Sequence, residues 1–428
     1  MVLPRIICAI SGGVDSAVAA LLLKRKGYHV LGIFMRNWDV RDEIGHCTVD
    51  EDVKYAKRVC SVLNIPFREV NLVKEYWSNV FMPTIEEYEN GNTPNPDVLC
   101  NRHIKFDSLH KKCHRLFGDD NFIVATGHYA QTTFGERVLK ENMQLEFEQQ
   151  LLMSVDKNKD QTFFLHEVAL KALLHTYFPV GHLHKTEVKE IAASSEVDFT
   201  LERKESMGIC FIGKRNFSDF IQDYVPPKKG SFVCYETGRI MGEHSGYYKY
   251  TIGQRTGIGG LSDAYAVLHR DVVSGNVYVV HGMDHPALYC QSFITNPARW
   301  ISGVPDSIKN GESFKCKFRF LHREPLVECE VIPFQDDGRL LVILQEPQRA
   351  ITVGQNAVFY SGDQCLGGGR IDDLGPSTLE CQERGQLNFT TFRKNPDRWR
   401  RLVNNYGEKL CPFPKSGLVY NSQATNKC

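Results

Sequence analysis

Apolar and polar positions alternate in blocks over the first 130 residues of the chain, and these blocks predict strands and helices in turn. Short apolar runs with the composition of buried strands occur at Ile6–Ile10, Tyr28–Phe34, Phe67–Asn71 and Asn121–Thr126. The stretches between them have the pattern of helices, at residues 14–26, 51–63, 73–90 and 107–117. Because such an alternation is typical of a parallel sheet with crossover helices, we predict an N-terminal α/β domain.

The pattern changes after about residue 160, first to helical segments that extend to about residue 195 and then to short strands. Residues 131–158 are polar and weakly patterned, and a hairpin is the one element expected there. From residue 230 onward, glycines separate strand-like runs at 231–235, 247–252, 264–268, 277–281, 313–321, 327–333, 340–344, 357–360 and 365–371. This spacing predicts a small β-rich domain followed by an antiparallel barrel or sandwich, of which we favour the barrel.

The predicted domain boundaries follow these changes of pattern. We assign residues 1–205 to the α/β domain, 206–285 to a central domain and 286–375 to a C-terminal β-barrel. The remaining residues, 376–428, are polar with few strand signals, so a partly disordered tail is expected there.

Composition narrows the class of protein only a little. A chain of 428 residues has room for two or three domains with sizeable cores. Its 51 Lys and Arg residues equal its 51 Asp and Glu residues, so any surface that binds nucleic acid has to be a local patch. No apolar run in the sequence is long enough to span a membrane.

The 14 cysteines are scattered and include no C-x-x-C pair. This argues against a zinc ribbon, a thioredoxin-type motif or a C-x-x-C iron–sulfur site, and it favours a reducing compartment. The apolar start of the sequence is the first predicted strand, so we expect no secretory signal and no conventional transit peptide ahead of it. A mitochondrial targeting signal would then have to be an unusual internal one.

The junction between the first strand and the first helix has the sequence S-G-G-V-D-S, Ser11–Ser16. A strand that turns through glycines into a helix directs backbone N–H groups and the positive helix end at one point, which suits a phosphate. The loop lacks the Gly-Lys-Ser/Thr of a Walker P-loop and instead resembles the pyrophosphatase loop of enzymes that split ATP into AMP and pyrophosphate. The alternative is an ordinary strand–turn–helix with a serine N-cap.

An ATP site at this loop involves residues from three places in the chain. The loop and the end of its strand supply Ala9, Ile10, Ser11, Gly12, Gly13, Val14, Asp15 and Ser16. Asp15 is the candidate for placing magnesium or the leaving pyrophosphate, although no metal site is firmly assigned. Met35 and Gly127 end later strands, and the carboxyl edge of a parallel sheet is where ligands bind. For these two, core packing and turn geometry are the alternative.

Two cysteines are candidates for nucleophilic chemistry. Cys100 follows a loop rich in proline and asparagine, and Arg102, His103 and Lys105 are near enough in sequence to favour a thiolate. Cys210 lies in S-M-G-I-C-F-I-G, with basic residues on both sides: Arg203, Lys204, Lys214 and Arg215. The alternative for each is a small buried residue without reactivity. An adenylating loop with two thiols can activate an oxygen, carry sulfur as a persulfide and displace AMP.

Seven motifs in order resemble the tRNA-specific 2-thiouridylase family: S-G-G-V-D-S, T-P-N-P-D-V-L-C-N-R-H-I-K-F, A-T-G-H-Y-A, N-K-D-Q-T-F-F-L, E-S-M-G-I-C-F-I-G, T-I-G-Q-R and C-L-G-G-G-R-I. The resemblance extends from about residue 5 to about residue 375. It is specific because other pyrophosphatase-loop enzymes lack the two cysteine motifs together. Three segments, K-E-Y-W, K-D-Q-T-F-F-L and G-K-R-N-F, are most similar to the sequences of the mitochondrial branch. Ala17 departs from many bacterial members, which carry a second serine there.

The resemblance implies an adenine nucleotide alpha hydrolase-like fold, a mitochondrial location and 2-thiolation of the wobble uridine, position 34, in tRNAs for Lys, Glu and Gln. It implies that ATP with Mg²⁺ adenylates the carbon-2 oxygen of the base. Cys210 matches the residue that receives persulfide sulfur from a donor protein. Cys100 matches the nucleophile that frees the sulfur and closes a disulfide with Cys210.

The resemblance also implies residues that contact tRNA. Asn95, Pro96 and Asp97 match positions at the target base, and the remaining contacts are His128, Lys159, Asp160, Gln161, Arg319, Phe320 and Gln355. A splayed anticodon base is the usual way in which proteins read RNA loops. Without the resemblance, Lys159–Gln161 are typical of a solvated turn and Arg319–Phe320 of an ordinary strand.

Two other functions remain open from the sequence. One is another adenylating enzyme of the loop superfamily, although no glutaminase module is apparent. The other is a non-catalytic tRNA-binding protein, against which the intact loop and the two cysteines argue. No membrane partner is expected.

Overall fold

The fold was analysed in a computed structural model that describes residues 4–38, 48–118, 121–139, 149–203, 217–259, 263–334, 337–382 and 395–410. The strands in these ranges are β1 Arg5–Ala9, β2 Val30–Arg36, β3 Phe67–Asn71, β4 Phe122–Ala125, β5 Ala130–Thr132, β6 Leu151–Met153, β7 Thr176–Tyr177, β8 Gly230–Cys234, β9 Ile240–His244, β10 Tyr265–Arg270, β11 Val277–His281, β12 Tyr289–Thr295, β13 Arg299–Trp300, β14 Phe314–Arg319, β15 Val327–Phe334, β16 Arg339–Arg349, β17 Asn356–Ser361 and β18 Gln364–Leu374.

The α-helices in the same ranges are α1 Val14–Arg25, α2 Thr48–Val62, α3 Val73–Tyr76, α4 Met82–Glu89, α5 Pro96–Leu99, α6 Leu109–Phe117, α7 Thr162–Leu165, α8 Leu170–Leu173, α9 Lys185–Ala193, α10 Phe217–Ile221, α11 Asp306–Lys309, α12 Thr378–Gln382 and α13 Pro396–Tyr406. A π-helical segment joins α3 to α4 at Trp77–Phe81, and another joins α5 to α6 at Cys100–Ser108. Among the described helices, none has the length and apolar character needed to cross a membrane.

The N-terminal domain is built on a parallel sheet with strand order β3-β2-β1-β4-β7. Strand β1 is central and buried because its residues Ile6–Ala9 are apolar on both faces. Helix α1 packs closely on the sheet through small side chains, and Ala17, Ala19 and Ala20 are fully buried. The predicted α/β class and its four strands are confirmed, and β7 is an additional short strand that the sequence analysis did not identify.

The central sheet has the order β10-β11-β8-β9 and mixes one parallel pair, β8 with β11, with antiparallel pairs. The predicted strand at 247–252 is wrong, since Tyr247–Lys249 form a 3₁₀ turn and β9 lies earlier in the chain. Tyr247 and Tyr248 are both buried, whereas neighbouring residues of a strand point to opposite faces. Both tyrosines pack in a core that also contains Tyr76 and Phe81, so the central and N-terminal domains share apolar contacts.

The C-terminal domain is a closed antiparallel barrel of six strands, in the order β12-β16-β15-β14-β17-β18, and the β12–β18 pairing closes it. The barrel was predicted, but β12 was not. The hairpin β5–β6, which belongs to the N-terminal part of the chain, pairs with β18 and extends the barrel sheet. The N-terminal domain and the barrel are therefore joined by main-chain hydrogen bonds.

The C-terminal tail, which was predicted to be partly disordered, contains the helix α13. Helix α13 packs on the barrel through Trp399, which is fully buried beside Ile294 and Leu341. The indole Nε1 of Trp399 donates a hydrogen bond to Asp373 Oδ2 over 2.9 Å. Trp399 and Leu402 are thus buried from a helix that is otherwise largely polar, and Asp373 of β18 holds the tryptophan.

Candidate active site

The loop between β1 and α1 has the shape of an anion site. The N-cap of α1 is Gly13, and no side chain caps this helix, so the serine N-cap alternative is wrong. Instead, Ser16 Oγ donates to Gly13 O over 2.9 Å and accepts from Ser11 N over 3.2 Å, which holds the loop in a tight turn. The positive end of the helix is consequently available to a phosphate group.

Two glycines allow neighbouring segments to approach this loop. Gly12 has φ +82°, and a Cβ there would lie 2.8 Å from Asp52 O and 2.9 Å from Arg203 Nη1. A Cβ on Gly127 would lie 2.7 Å from Ser16 N. Gly127 therefore borders the start of α1, and its contact with a nucleotide stays a prediction. Met35 is half-buried at the end of β2, next to the same carboxyl edge of the sheet.

Asp15 is held by a lysine that the sequence analysis missed. Lys185 Nζ donates to Asp15 Oδ1 over 2.6 Å and to Oδ2 over 2.8 Å, and Tyr129 OH donates to Oδ1 over 2.8 Å. Lys185 is buried and is the first residue of α9. A lysine there opposes the helix dipole, and this mismatch is a signal that could have drawn attention to it.

Arg203 lies over the glycine turn. It forms an ion pair with Asp52, and its guanidinium carbon is 4.7 Å from the centre of the Tyr55 ring. Burial raises the pKa of Asp52, while Arg203 acts in the opposite direction. Arg203 is the last described residue before 204–216, the segment that includes Cys210.

Cys100 lies inside a helix rather than after a loop. The helix begins at Pro96 with Asn95 as its N-cap, and Cys100 is the first residue of the π-helical segment. Its side chain is 2% exposed and belongs to the core that underlies the sheet. Arg102, which was expected to favour a thiolate, forms an ion pair with Glu167 over 2.9 Å. Segments of π-helix occur frequently at functional sites.

A chain of three polar side chains connects the helix of Cys100 with the end of β4. Lys105 Nζ is 3.5 Å from His128 Nε2, and Thr126 Oγ1 is 2.8 Å from His128 Nδ1. Burial, with a contribution from Lys105, places the pKa of His128 well below its usual value, so the imidazole is neutral at pH 7. Burial raises the pKa of Asp97, although Lys105 opposes this effect.

Within Lys159–Gln161, Gln161 bonds to the backbone of Tyr129 and Asp160 bonds to the barrel. Gln161 Oε1 accepts from Tyr129 N over 2.9 Å, and Gln161 N donates to Tyr129 O over 2.8 Å, which supports the tyrosine on Asp15. Asp160 is fully buried, and its Oδ2 accepts a hydrogen bond from Arg319 Nη2 over 2.6 Å. Lys159 is half-buried.

Some of the predicted tRNA contacts are thus engaged within the protein. Arg319 is 5% exposed and Phe320 is 6% exposed, and Arg319 also donates to Tyr360 OH over 3.0 Å. Gln355 is half-buried on the barrel. Contact of these residues with RNA stays a prediction, and for Asp160 and Arg319 the structure shows an ion pair between domains.

Cys210 lies outside the described residues, so the predicted meeting of Cys100 and Cys210 stays a prediction. Among the residues that the structure describes, no group of three or more His, Cys, Asp or Glu side chains could hold a metal ion.

Three family profiles match consecutive parts of the chain. Residues 4–214 match the tRNA methyl transferase HUP domain, residues 218–281 the tRNA methyl transferase PRC-barrel domain and residues 290–371 the aminomethyltransferase beta-barrel domain.

Curated proteins match over most of the chain. The chain is 45% identical to mitochondrial tRNA-specific 2-thiouridylase 1 of Homo sapiens over 408 residues, which cover 92% of this chain and 96% of that protein. It is 42% identical over 375 residues to a tRNA-specific 2-thiouridylase of Alkaliphilus oremlandii, covering 86% of this chain and 97% of that protein. Among solved structures, NMN synthetase from Francisella tularensis matches 52% of this chain and 76% of its own chain, with 14% identity and a TM-score of 0.30.

Proposed function

The chain belongs to the tRNA-specific 2-thiouridylase family, and from this premise we propose that it converts the wobble uridine of tRNAs for Lys, Glu and Gln to 2-thiouridine with ATP. Family membership makes the chain a tRNA sulfurtransferase that thiolates uridine. The mitochondrial names of its relatives in several animals support a mitochondrial location. The base position, the set of tRNAs and the mechanism are part of the proposal.

One observation supports this chemistry above the others: a continuous set of contacts connects the anion loop with the helix of Cys100. Gly127 abuts the start of α1, His128 follows it directly, and Lys105 meets His128 from the helix that carries Cys100. Lys105 is five residues after Cys100, which is about one turn of a π-helix. A nucleotide on the loop and a base near Asn95–Asp97 would therefore bind to two segments that this contact connects.

The first proposed step is adenylation of the base. The carbon-2 oxygen of uridine attacks the α-phosphorus of ATP, and the bond to the β-phosphate breaks, releasing pyrophosphate. The N–H groups at the start of α1 would hold the phosphates. Asp15 offers a carboxylate, the ligand type that Mg²⁺ prefers, and would help to hold an Mg²⁺ ion that arrives with ATP and would neutralise charge on the phosphates. The residues present therefore fit a magnesium–ATP complex.

The second proposed step transfers sulfur. The terminal sulfur of a persulfide on Cys210, supplied by a donor protein, attacks carbon 2, and the carbon–oxygen bond to AMP breaks. The Cys100 thiolate then attacks Cys210 Sγ, the sulfur–sulfur bond of the adduct breaks, and its electron pair stays on the sulfur that remains on carbon 2. A Cys100–Cys210 disulfide results, and a thiol reductant must reopen it.

We propose that the polar residues near His128 and at the start of the helix of Cys100 contact the tRNA. His128, neutral beside Lys105, can donate or accept a hydrogen bond without adding a second charge. Asn95 and Asp97 are half-buried at the start of the helix of Cys100, where a splayed base would meet them. Lys159 is the cation of this group that is suited to a phosphate.

The experiment that tests the proposal uses the full chain with ATP, Mg²⁺, an active persulfide donor and unmodified tRNA. Mass spectrometry of the digested tRNA is expected to show 2-thiouridine at position 34, with one AMP formed for each thiolated base. Absence of thiouridine, while the same donor supports a known thiolase, would overturn the proposal.

The Cys210→Ser variant distinguishes the enzyme from a protein that only binds tRNA. We expect the variant to retain tRNA binding in a gel-shift assay and to lose sulfur transfer. A change of neither property would favour the non-catalytic alternative. Formation of AMP on the base without any thiolation by the wild type would favour another adenylating enzyme.

A further inference from the structure

The loop Gly91–Pro94, here called the junction loop, contacts all three domains. It belongs to the N-terminal domain and ends directly before Asn95, the N-cap of the helix that carries Cys100. Thr93 is 7% exposed, although the loop has the composition of a surface turn. Its burial means that other parts of the chain cover it.

The central domain holds the junction loop through Arg270, the last residue of β10. Arg270 Nη2 donates to Gly91 O and to Thr93 Oγ1, over 2.7 Å in each case, and Nη1 donates to Tyr250 O over 3.0 Å. Arg270 is 5% exposed. A buried guanidinium that meets several acceptors in fixed directions is a rigid connection, because its planar fork has little freedom to reorient.

The barrel holds the same loop from another side. Thr93 N donates to Val353 O over 3.0 Å, and a Cβ on Gly354 would lie 2.8 Å from Thr93 N. Asn92 Nδ2 donates to Glu87 Oε2 over 2.8 Å, and Glu87 forms an ion pair with Arg370 of β18. Gln355, a predicted tRNA contact, follows Gly354 directly.

We propose that Arg270 is a positioning residue that, through Thr93, fixes the junction loop and so places Asn95–Cys100 against the target base. The inference rests on the proposed function, because it concerns the same reaction. Arg270 itself is buried behind the loop, so it acts through Thr93 and Gly91 rather than by touching tRNA or ATP. Loss of the contact should disturb the alignment of the reacting groups while leaving both ligands bound.

The main test compares Thr93→Val with Thr93→Ser. Valine keeps the volume of threonine and removes the acceptor of the Arg270 bond, whereas serine keeps the hydroxyl. We expect Thr93→Val to lower kcat for 2-thiouridine formation by about tenfold, since small misplacements of reacting groups are costly. The KM for tRNA and the Kd for ATP should stay within about twofold, and Thr93→Ser should restore most of kcat.

Arg270→Lys provides the second variant, and Arg349→Lys is its matched control. Arg349 is also partly buried, but its hydrogen bonds go to backbone oxygens of the central domain, Met283 O and Gly253 O, each over 2.8 Å. We expect Arg270→Lys to behave as Thr93→Val does and Arg349→Lys to keep the wild-type kcat. An equal loss of kcat in both lysine variants would overturn the inference.

The remaining outcomes separate the inference from the proposed function. An active wild type together with an unchanged kcat in Thr93→Val, or a loss that appears only in the KM for tRNA, overturns the inference alone. A wild type that forms no thiouridine overturns the proposed function and the inference with it. If Arg270→Lys fails to fold, the two threonine variants still decide the matter.

Discussion

Lys185 and Asp15 illustrate how much of this site depends on pairs of residues that are remote in sequence. The lysine binds both oxygens of the carboxylate, and its own backbone N donates to Asp156 over 3.0 Å. The negative phosphates of ATP would compete with Asp15 for the same ammonium group. In the proposed reaction, Lys185 would exchange Asp15 for a phosphate oxygen, and the freed carboxylate would be available to hold Mg²⁺.

The Lys185→Met variant is expected to lower the rate of pyrophosphate release about a hundredfold, because one preorganised charge at the phosphates is lost. Pyrophosphate can be measured in a coupled assay with saturating tRNA, and tRNA affinity by gel shift should remain unchanged. Lys189→Met, which alters an exposed residue of the same helix, is the control. Unaltered pyrophosphate release in Lys185→Met would contradict the role.

The depressed pKa of His128 makes stability depend on pH in one direction. The unfolded chain takes up this proton near pH 6.5, whereas the folded protein resists it until a lower pH. Between the two pKa values the unfolded state binds more protons, so the free energy of unfolding should fall as pH decreases below about 6.5. Above that pH, His128 makes no contribution to the change of the free energy of unfolding with pH.

This pH effect can be measured by urea unfolding at pH 7.5 and pH 5.5. We expect His128→Gln to reduce the loss of stability between the two values, whereas His114→Gln, an exposed change on α6, should leave the loss as in the wild type. An identical loss in all three proteins would show that His128 contributes nothing to it.

At the scale of elements, the sequence predicted most of the strands but misjudged the start of the helix at Pro96. The run T-P-N-P-D has the composition of a loop, yet Asn95 and Pro96 are also common at the N-cap and first position of a helix. Strand β12 was missed because it is buried along nearly its whole length between β16 and β18, so it lacks an alternating pattern.

The site could be predicted only in part for a related reason. The loop Ser11–Ser16 and Gly127 are local motifs at strand ends, and the parallel sheet brings them together. Lys185 meets Asp15, and Arg270 meets the junction loop, through long-range packing that leaves no short sequence motif. Asp160 and Arg319 lie in segments that the sequence analysis did identify. Their burial against each other could not be predicted, because it depends on the docking of two domains.

Helix α13 gives a prediction about stability at the same scale. Trp399→Ala is expected to destabilise the protein by about 3–5 kcal/mol, because it removes a fully buried indole and leaves Asp373 without that donor. Thermal unfolding measures the loss, and Arg400→Ala, whose partner Asp397 lies in the same helix, should cost far less. A small effect of Trp399→Ala would mean that α13 is dispensable to the barrel.

At the scale of the whole molecule, the buried pair Asp160–Arg319 connects the catalytic domain with the barrel. Asp160→Asn or Arg319→Met alone should cost about 3–5 kcal/mol in the free energy of unfolding, since each leaves a buried charge without its partner. The double variant should cost less than the sum of the two. Urea unfolding of the four proteins completes the cycle, and strict additivity would contradict the coupling.

Lys159→Ala is the comparison that separates stability from RNA binding. This change should leave unfolding nearly unaltered and weaken tRNA binding, with the slope of log K against log salt reduced by about 1. A direct RNA contact by Arg319 predicts a similar salt effect for Arg319→Met, which an interdomain role does not.

The pairing of β5–β6 with β18 also affects any attempt to divide the protein. A polypeptide that ends before the barrel would retain the β5–β6 hairpin with an unpaired edge. Isolated two-stranded hairpins have little stability in water, and unpaired edges pair with other molecules. The excised barrel would in turn lose the cover on one side of β18. We therefore expect the isolated N-terminal domain to aggregate rather than to fold into an active fragment.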